Sequence, residues 1–256
     1  MKLIYGPVPS WRLGRSLGID LICSDEKICS FDCIYCQLGR TKKLSVNRNK
    51  FVSTSDLERE LKVALDRVEF DVITFSGTGE PTLAKNLASA VKIVRKITDI
   101  PLAILTNSSL MFDSEVRNEL LKFDIVIAKL DAHNSELFRR INRPSSELNF
   151  DYIIEGIRKF QYLFYDGKLC LQIMFINDNK KYAKEIAELA RSLHPSEVQI
   201  NTPLRQNPIK PLNPKEILDI SNHFKGLNVR TIYESMKPDV KILDKEDVLK
   251  RRTVLL

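Results

Sequence analysis

From Ser53 onward the sequence alternates between helix-type and strand-type hydrophobic patterns, and this alternation constrains the fold more than any other feature. Amphipathic segments, with apolar residues three and four positions apart, are separated by short runs that are almost entirely apolar. Near-continuous apolar strands are typical of parallel sheets that are covered by helices. The predicted strands of this region are residues 70–75, 101–107, 124–131, 169–175, 197–202 and 228–233. The pattern therefore predicts an α/β fold of βα units with right-handed crossovers.

The segment before this alternation is predicted to contain a loop and one further strand. Residues 5–18 contain three glycines and two prolines, which predict a loop. Residues 18–24 form the first predicted strand, and a cysteine-rich loop follows it. This order matters because ligands in α/β folds bind beyond the carboxyl ends of strands. Periodicity alone leaves open whether the sheet is doubly wound or forms a barrel or partial barrel.

Length and composition indicate an ordinary globular chain with an excess of basic residues. The 256 residues are enough for one large core, and 43% of them are hydrophobic. No apolar run approaches the roughly 18 residues of a membrane span, and the N-terminus lacks the apolar stretch of a signal peptide. We therefore expect a cytoplasmic protein with no membrane partner. The net charge of +7 fits a nucleic-acid substrate or an acidic electron donor, and equally a lineage bias with no partner.

Three cysteines lie within eight residues, at Cys29, Cys33 and Cys36, with the spacing C-x3-C-x2-C. Thiolates at such spacings hold iron–sulfur clusters. A full cluster normally takes four thiolates, and this run supplies three. A metal site that lacks one protein ligand keeps a position open for a small molecule, as catalytic zinc sites do. The spacing therefore favours a catalytic metal centre.

Two other interpretations of the cysteines remain at this point. A structural zinc site is one of them, with Cys23 as its fourth thiolate. A disulfide framework is the other, although the chain is long and has no secretory signal. If the three clustered cysteines form the metal centre, Cys23 and Cys170 are left over, and we interpret both as small buried apolar residues.

The motif resembles that of the radical S-adenosylmethionine (SAM) enzymes, in which an aromatic residue, here Tyr35, precedes the last cysteine. The resemblance implies a [4Fe-4S] cluster on Cys29, Cys33 and Cys36, with SAM bound at the fourth iron. It also implies reductive cleavage of SAM to methionine and a 5′-deoxyadenosyl radical, with reduced ferredoxin or flavodoxin as the electron donor. The implied fold is a (βα)6-type partial TIM barrel of parallel strands with the cluster loop after the first strand.

The resemblance also implies where the domains and the SAM contacts lie. Residues 1–234 would form the partial barrel, and residues 235–256 a tail helix that packs on it. Thr78, Gly79 and Glu80 stand in place of a Gly-Gly-Glu-Pro-like motif that meets the methionine amino group, although an ordinary βα turn would have the same pattern.

The remaining candidate SAM contacts lie at later strand ends, where barrel enzymes gather their catalytic residues. Lys129 is expected to meet the methionine carboxylate and Asp131 the ribose, and both are our catalytic candidates; a plain ion pair is the alternative. Thr106 and Asn107 are expected to bond ribose hydroxyls. Tyr35, Gln172 and Met174 complete the predicted cofactor contacts, with Met174 also a candidate core residue. Asn201 and Arg205 are expected near the same pocket.

Further motifs resemble a prokaryotic group related to wyosine synthases, which modify tRNA. They are residues 5–10, 12–18, 36–41, 75–82, 129–132, 141–144 and 199–203. Wyosine synthase carries a second cluster on three cysteines upstream, whereas only Cys23 precedes Cys29 here, so that site cannot be built. The resemblance therefore implies tRNA or another RNA as a candidate substrate, but not the same chemistry.

Two alternative functions and one surface prediction complete the expectations from the sequence. A glycyl-radical-enzyme activase is the first alternative, and a non-catalytic, metal-bearing RNA-binding protein is the second. A basic rim over the open face of the sheet is predicted from five residues, namely Arg12, Arg15, Arg40, Lys42 and Lys43.

Overall fold

The computed structural model describes residues 1–251 of the chain. The strands are β1 (Ile4–Ser10), β2 (Gly14–Ile19), β3 (Ile28–Cys29), β4 (Lys43–Leu44), β5 (Val72–Phe75), β6 (Leu102–Thr106), β7 (Ile125–Lys129), β8 (Lys168–Met174), β9 (Glu197–Asn201) and β10 (Val229–Thr231). The helices are α1 (Leu57–Arg67), α2 (Leu87–Arg95), α3 (Ser114–Leu120), α4 (Ser135–Asn142), α5 (Phe150–Leu163), α6 (Ala183–Ser192), α7 (Pro214–Ser221) and α8 (Lys245–Arg251).

The main sheet is mostly parallel and curls into a half-barrel. Its strands follow the order β1-β2-β5-β6-β7-β8-β9-β10, and every pair from β2 to β10 is parallel. Only β1 runs antiparallel, beside β2. The predicted α/β partial barrel of parallel strands is thus confirmed, with one antiparallel strand added at its edge. The short strands β3 and β4 form a separate parallel pair, β3 at the start of the cysteine loop and β4 after it.

Alternate residues of each parallel strand build one hydrophobic core with the helices. Ile73 and Phe75 of β5 lie in this core, and Phe75 meets Phe123 edge to face at 5.1 Å between ring centroids. Thr74, which lies between them, faces the other side of the sheet, where its hydroxyl hydrogen-bonds to the Ser16 hydroxyl of β2 at 2.7 Å. Burying one apolar face against the helices in this way fixes the register of each strand, because a one-residue slip would turn the core residues to the other side of the sheet.

The loop predicted at residues 5–18 is wrong, because β1 and β2 form an antiparallel hairpin there. Proline has no backbone N–H, so a strand tolerates it at an edge or at an irregularity in the pairing. Pro7 lies at such an irregularity, because the β1–β2 register shifts between Tyr5 and Val8. Gly18 is needed opposite Tyr5, whose ring fills the space that a side chain at position 18 would occupy. The cysteine loop follows β2, the first parallel strand, which ends at Ile19 and not near residue 24.

Helix α8 packs against β1 near the chain ends. Val248 contacts Tyr5 and Val8 in a small apolar cluster separate from the main core, and Leu243 N–H donates to the Gly6 carbonyl at 2.8 Å. Helix α8 covers residues 245–251 of the predicted tail, residues 235–244 of the tail are not helical, and residues 252–256 lie outside the described residues. The division into units at residue 234 stays a prediction. Nowhere in residues 1–251 is a helix both long and apolar enough to cross a membrane.

Candidate active site

The predicted site residues meet at one edge of the half-barrel, where β5 to β8 end. Because these strands are parallel neighbours, their carboxyl ends share that edge. Residues 78–80 follow β5, residues 106 and 107 lie at the end of β6, residues 129 and 131 at the end of β7, and residues 172 and 174 at the end of β8. The cysteine loop lies over the same edge and brings Tyr35 to it.

One side of the cysteine loop pairs with the turn that follows β5. Ile28 N–H donates to the Thr78 carbonyl at 3.3 Å, and Glu80 N–H donates to the Ile28 carbonyl at 3.1 Å. A Cβ at Gly79 would lie 1.7 Å from the Ile28 carbonyl oxygen, so only glycine permits this approach. The Thr78 hydroxyl is turned away from the loop's cysteines and donates to Asp20 at 3.0 Å.

The other side of the loop is held by the segment that ends α4. Asp32 N–H donates to the Asn142 carbonyl and Ile34 N–H to the Ile141 carbonyl, both at 3.0 Å. Helix α4 ends because Arg143 adopts a left-handed conformation, with φ of 44°, and a proline follows it. The cysteine loop therefore has backbone partners on both sides, although the two partner segments are far apart in sequence.

All three thiols of the loop are free, and two of them accept a hydrogen bond from an amide. Asn107 Nδ2 lies 3.5 Å from Cys29 Sγ, and Asn142 Nδ2 lies 3.4 Å from Cys33 Sγ. Burial raises the pKa of Cys29 to about 12, with the charge of Glu80 adding to it. Burial also raises the pKa of Cys33. Without a bound cation the thiols of Cys29 and Cys33 therefore hold their protons at neutral pH, and a metal that binds them must displace those protons.

Lys27 places a buried ammonium beside the three thiols. Burial lowers its pKa, but when Cys36, Cys29 and Cys33 are ionised their negative charges raise it, and the net direction is then upward. Its Nζ donates to the Gly39 carbonyl at 3.2 Å. This cation can offset the charge of the thiolates. The role of Lys27 is not predictable from the sequence, because a lysine two residues before a cysteine belongs to no pattern that predicts burial.

The donor set fits an iron–sulfur cluster better than a zinc ion that recruits Cys23. Cys23 Sγ lies 3.4 Å from Arg251 Nη2 and 3.5 Å from the Lys2 carbonyl, among groups that do not include the other thiols. Within residues 1–251, no three His, Cys, Asp or Glu side chains surround one point as a single metal ion requires. The interpretation of Cys170 as buried and apolar agrees with the structure, whereas Cys23 is only half-buried.

A hydrogen-bonded network around Asp131 joins the loop to the ends of β7 and β8. The Asp131 carboxylate is fully buried and accepts from the Tyr35 hydroxyl, from Asn142 Nδ2 at 2.7 Å and from Met174 N–H at 2.8 Å. Lys129 Nζ donates to the Tyr35 hydroxyl at 3.0 Å and lies 3.6 Å from Asp131 Oδ2. Lys129 and Asp131 thus form the ion pair that was the alternative interpretation of these residues. The pair lies at the edge of the sheet where the parallel strands end, together with the other candidate site residues.

Burial and neighbouring charges shift the pKa values of Tyr35 and Lys129 in this network. Burial raises the pKa of Tyr35 well above its usual value, and the Asp131 charge adds to the shift. Burial lowers the pKa of Lys129, but the negative charge of Asp131, joined by those of Cys33 and Cys36 when they are ionised, raises it by more, so the net direction is upward. Lys129 is therefore a cation at neutral pH, able to attract an anionic group.

Glu80 is held at the centre of a second network. Its Oε1 accepts from the Thr82 and Thr106 hydroxyls, each at 2.7 Å, and its Oε2 accepts from Asn107 N–H at 2.7 Å. Burial raises the pKa of Glu80, and these hydrogen bonds oppose that shift. The network joins the turn after β5 to the end of β6, and Asn107 carries it on to Cys29.

The predicted basic rim is wrong as a set of five, because Arg15 and the residues at 40, 42 and 43 lie at opposite ends of the sheet, whereas the charge of Arg12 acts on Lys129. Arg15 lies at the amino end of β2, where its guanidinium pairs with Glu69 and, at 2.8 Å, with Asp71. Arg12 lies in the turn before it. Only the exposed residues 40, 42 and 43 follow the cysteine loop. The error arose because strand direction, and not nearness in sequence, decides which end of a sheet a residue occupies.

Later predicted residues also lie around this edge. Gln172 and Met174 are half-buried on β8, and Asn201 is buried at the end of β9 beside Met174. Arg205 Nη1 donates to Gln37 Oε1 at 2.6 Å and so reaches the cysteine loop. Asn142 was missed, although the motif at residues 141–144 that contains it offered a signal.

Comparisons with known proteins find a matching family model and related sequences. A family model described as the radical SAM superfamily matches residues 27–190. A Brachyspira hyodysenteriae protein named GTPase Obg is 36% identical, over 97% of this chain but 38% of its own length. A UPF0026 protein of Synechocystis is 42% identical, over 86% of this chain and 81% of its own length.

Solved structures share the fold. The structure of TYW1 with a lysine-pyruvate adduct bound superposes with a TM-score of 0.59 and 18% sequence identity, over 82% of this chain and 72% of that one. At this identity the likeness shows the half-barrel architecture alone.

Proposed function

This chain belongs to the radical SAM superfamily, and on that premise we propose that it reductively cleaves SAM and uses the product to abstract hydrogen from a substrate. Members of the superfamily bind a [4Fe-4S] cluster and SAM. When bound, the cluster supplies the electron that breaks SAM into methionine and a 5′-deoxyadenosyl radical. The observation that carries the proposal is the position of three free thiols directly over the edge that presents Glu80, Lys129 and Asp131.

We assign the cluster ligands to Cys29, Cys33 and Cys36. Their thiols are not in disulfides, the loop that holds them has backbone partners on both sides, and Lys27 offsets the negative charge of their ionised form. The amides of Asn107 and Asn142 donate to two of the sulfurs, and such hydrogen bonds tune a cluster's potential.

The SAM contacts are assigned to groups at the same edge. Lys129 is the cation suited to the methionine carboxylate, and the Gly79 backbone with Glu80 suits the ammonium group. Asp131, Thr106 and Asn107 suit the ribose hydroxyls. Tyr35 positions Lys129 and Asp131 through its hydroxyl. Thr78, Gln172 and Met174 complete the proposed pocket. Thr78 would act through its carbonyl, which can accept a second hydrogen bond besides that from Ile28 N–H, because its hydroxyl and its N–H are both bonded to Asp20.

Replacing Lys129 by methionine is expected to weaken SAM binding while the cluster is retained. The substitution removes the cation but keeps most of the apolar stem, and losing a hydrogen bond to a charged group weakens binding by about tenfold or more. Equilibrium binding of SAM and iron content measure the two effects. Lys168→Met, at the exposed amino end of the neighbouring strand, is the matched control. Unchanged affinity in Lys129→Met would remove Lys129 from the site.

We propose that the electron donor, a reduced ferredoxin or flavodoxin, docks on the exposed basic segment at residues 40–43. This segment directly follows the cysteine loop, and acidic donors are steered by positive charge. Changing Arg40, Lys42 and Lys43 to glutamate should slow flavodoxin-driven cleavage but leave dithionite-driven cleavage unchanged. A triple Lys→Glu variant at residues 62, 92 and 96 is the control. Equal slowing in both variants would argue against this docking site.

RNA is the substrate class that we propose. The excess of basic over acidic residues favours a polyanion. Crosslinking the protein to RNA in cell extract tests this, and capture of metabolites without RNA would contradict it.

A further inference from the structure

Asp20, the residue that follows β2, is bonded to the turn that holds the proposed SAM contacts. Its Oδ2 accepts from Thr78 N–H at 3.1 Å and from the Thr78 hydroxyl at 3.0 Å. Its Oδ1 accepts from the N–H groups of Ile22 at 3.1 Å and Cys23 at 2.9 Å. One buried carboxylate therefore fixes both the start of the cysteine segment and the turn after β5.

The sequence of the turn is adapted to this carboxylate. A Cβ at Gly77 would lie 2.1 Å from the Asp20 side-chain carbon, and Gly77 has a φ of 157°. Thr78, which stands where the related motif has glycine, uses its hydroxyl both to donate to Asp20 and to accept from Ser24 N–H at 3.1 Å. Gly77 and Thr78 are thus explained by Asp20.

The charge of Asp20 is balanced by Arg251, the last described residue of α8. Arg251 Nε donates to Asp20 Oδ2 at 2.8 Å, and the two side chains are 0% and 1% exposed. Arg251 Nη2 also donates to the Lys2 carbonyl at 2.6 Å. A buried carboxylate needs such a partner, because burial penalises an unpaired charge.

Arg251 reaches the site by two further routes. Its guanidinium lies over the Tyr5 ring, 4.7 Å from the centroid, and the Tyr5 hydroxyl bonds to Ser76 at 2.8 Å. The Arg251 carbonyl accepts from Gln37 Nε2 at 3.2 Å, one residue after Cys36. The end of α8 therefore contacts the cysteine loop directly and reaches the turn after β5 through Tyr5 and Asp20.

We propose that Arg251, acting through Asp20, is a positioning residue for SAM binding. The pair holds the backbone of residues 77–79 in the conformation that presents the Gly79 and Glu80 groups to SAM. Docking of α8 and assembly of the SAM pocket are thereby one event. The effect on SAM binding rests on the proposed function. The positioning of residues 77–79 by Asp20 and Arg251 does not depend on it.

Hydrogen exchange on the cofactor-free protein tests the positioning directly. In Arg251→Met, amides of residues 76–80 are expected to exchange about tenfold faster or more, since one charge-assisted hydrogen bond to Asp20 is lost. Lys250→Met, an exposed neighbour on the same helix, should exchange as the wild type does, and Arg251→Lys should be intermediate. If residues 76–80 exchange equally in Arg251→Met and the wild type, the inference is wrong, whether or not the protein cleaves SAM.

The loaded enzyme gives the second readout. Arg251→Met should keep its iron but show a KM for SAM raised by about tenfold, with a smaller change in kcat. Should this variant fail to fold, Asp20→Asn with Arg251→Met removes both charges of the pair together, so that Asp20 is not left as a buried unpaired carboxylate; of the other carboxylates, only Asp247, 3.6 Å from Arg251 Nη1, loses a partner. The double variant is expected to show the same raised KM, and a wild-type KM in it would overturn the inference. Absence of SAM cleavage in the wild type would instead contradict the proposed function.

Discussion

Replacing any one of Cys29, Cys33 and Cys36 by alanine is expected to abolish both iron retention and SAM cleavage. Each substitution leaves two thiols on the loop, and the described surroundings offer no replacement, because Cys23 lies beside Arg251 and Cys170 lies on β8. Iron and sulfide content, the visible spectrum and the yield of 5′-deoxyadenosine measure the loss. The effect should be complete in each of the three variants.

The other cysteines provide matched controls for this result. Cys170→Ala and Cys23→Ser also remove one thiol each, but outside the loop. Both are expected to retain the cluster and to cleave SAM at the wild-type rate, at the cost of some stability. Cleavage that survives in a Cys29, Cys33 or Cys36 variant would refute our assignment of the ligands.

The second large effect is expected from a single methyl group at Gly79. In Gly79→Ala the new Cβ would lie 1.7 Å from the Ile28 carbonyl oxygen, so the backbone at residue 79 and the backbone at residue 28 must move apart. Overpacking of this kind costs about 1–3 kcal/mol in free energy of unfolding. The more important consequence is local, because Ile28 immediately precedes Cys29 and its displacement moves a proposed cluster ligand. We expect the variant to fold, to lose most of its iron and to lose SAM cleavage.

Gly226→Ala separates this local effect from general strain. Gly226 has a φ of 88°, and apart from its two chain neighbours no other residue has a heavy atom within 4 Å of a Cβ built on it. Alanine there costs about 1–2 kcal/mol, because a left-handed backbone is unfavourable for residues with a Cβ. The variant should therefore be similarly destabilised in thermal unfolding yet keep its iron. Equal iron content in both glycine variants would contradict the contact between Gly79 and the cysteine loop.

The parallel strands were predictable because burial on the sheet leaves a pattern that is local in sequence. The run at residues 124–131 became β7, and the run at residues 169–175 became β8, each within two residues at its ends. The β1–β2 hairpin was not predictable in the same way. Its glycines and prolines signal a turn locally, but pairing along the edge of the sheet and the ring of Tyr5 against Gly18 decide the conformation.

The site residues that lie at strand ends were predictable from the order of the strands. The residues that reach the site through single contacts between distant parts of the chain were not. Glu80, Lys129 and Asp131 lie at ends of neighbouring parallel strands, so their meeting follows from topology. Lys27 and Asn142 approach the thiols through tertiary contacts that no periodicity reports. The Arg251–Asp20 pair joins the two ends of the chain and had no signal in the sequence.

The most direct measurement is made on the wild-type protein, purified without oxygen, reconstituted with iron and sulfide, and reduced with dithionite in the presence of SAM. We expect a brown protein that retains iron and releases 5′-deoxyadenosine and methionine in equal amounts. Protein that binds no iron, or that binds iron and leaves SAM intact, would contradict the assignment of this chain as a SAM-cleaving enzyme.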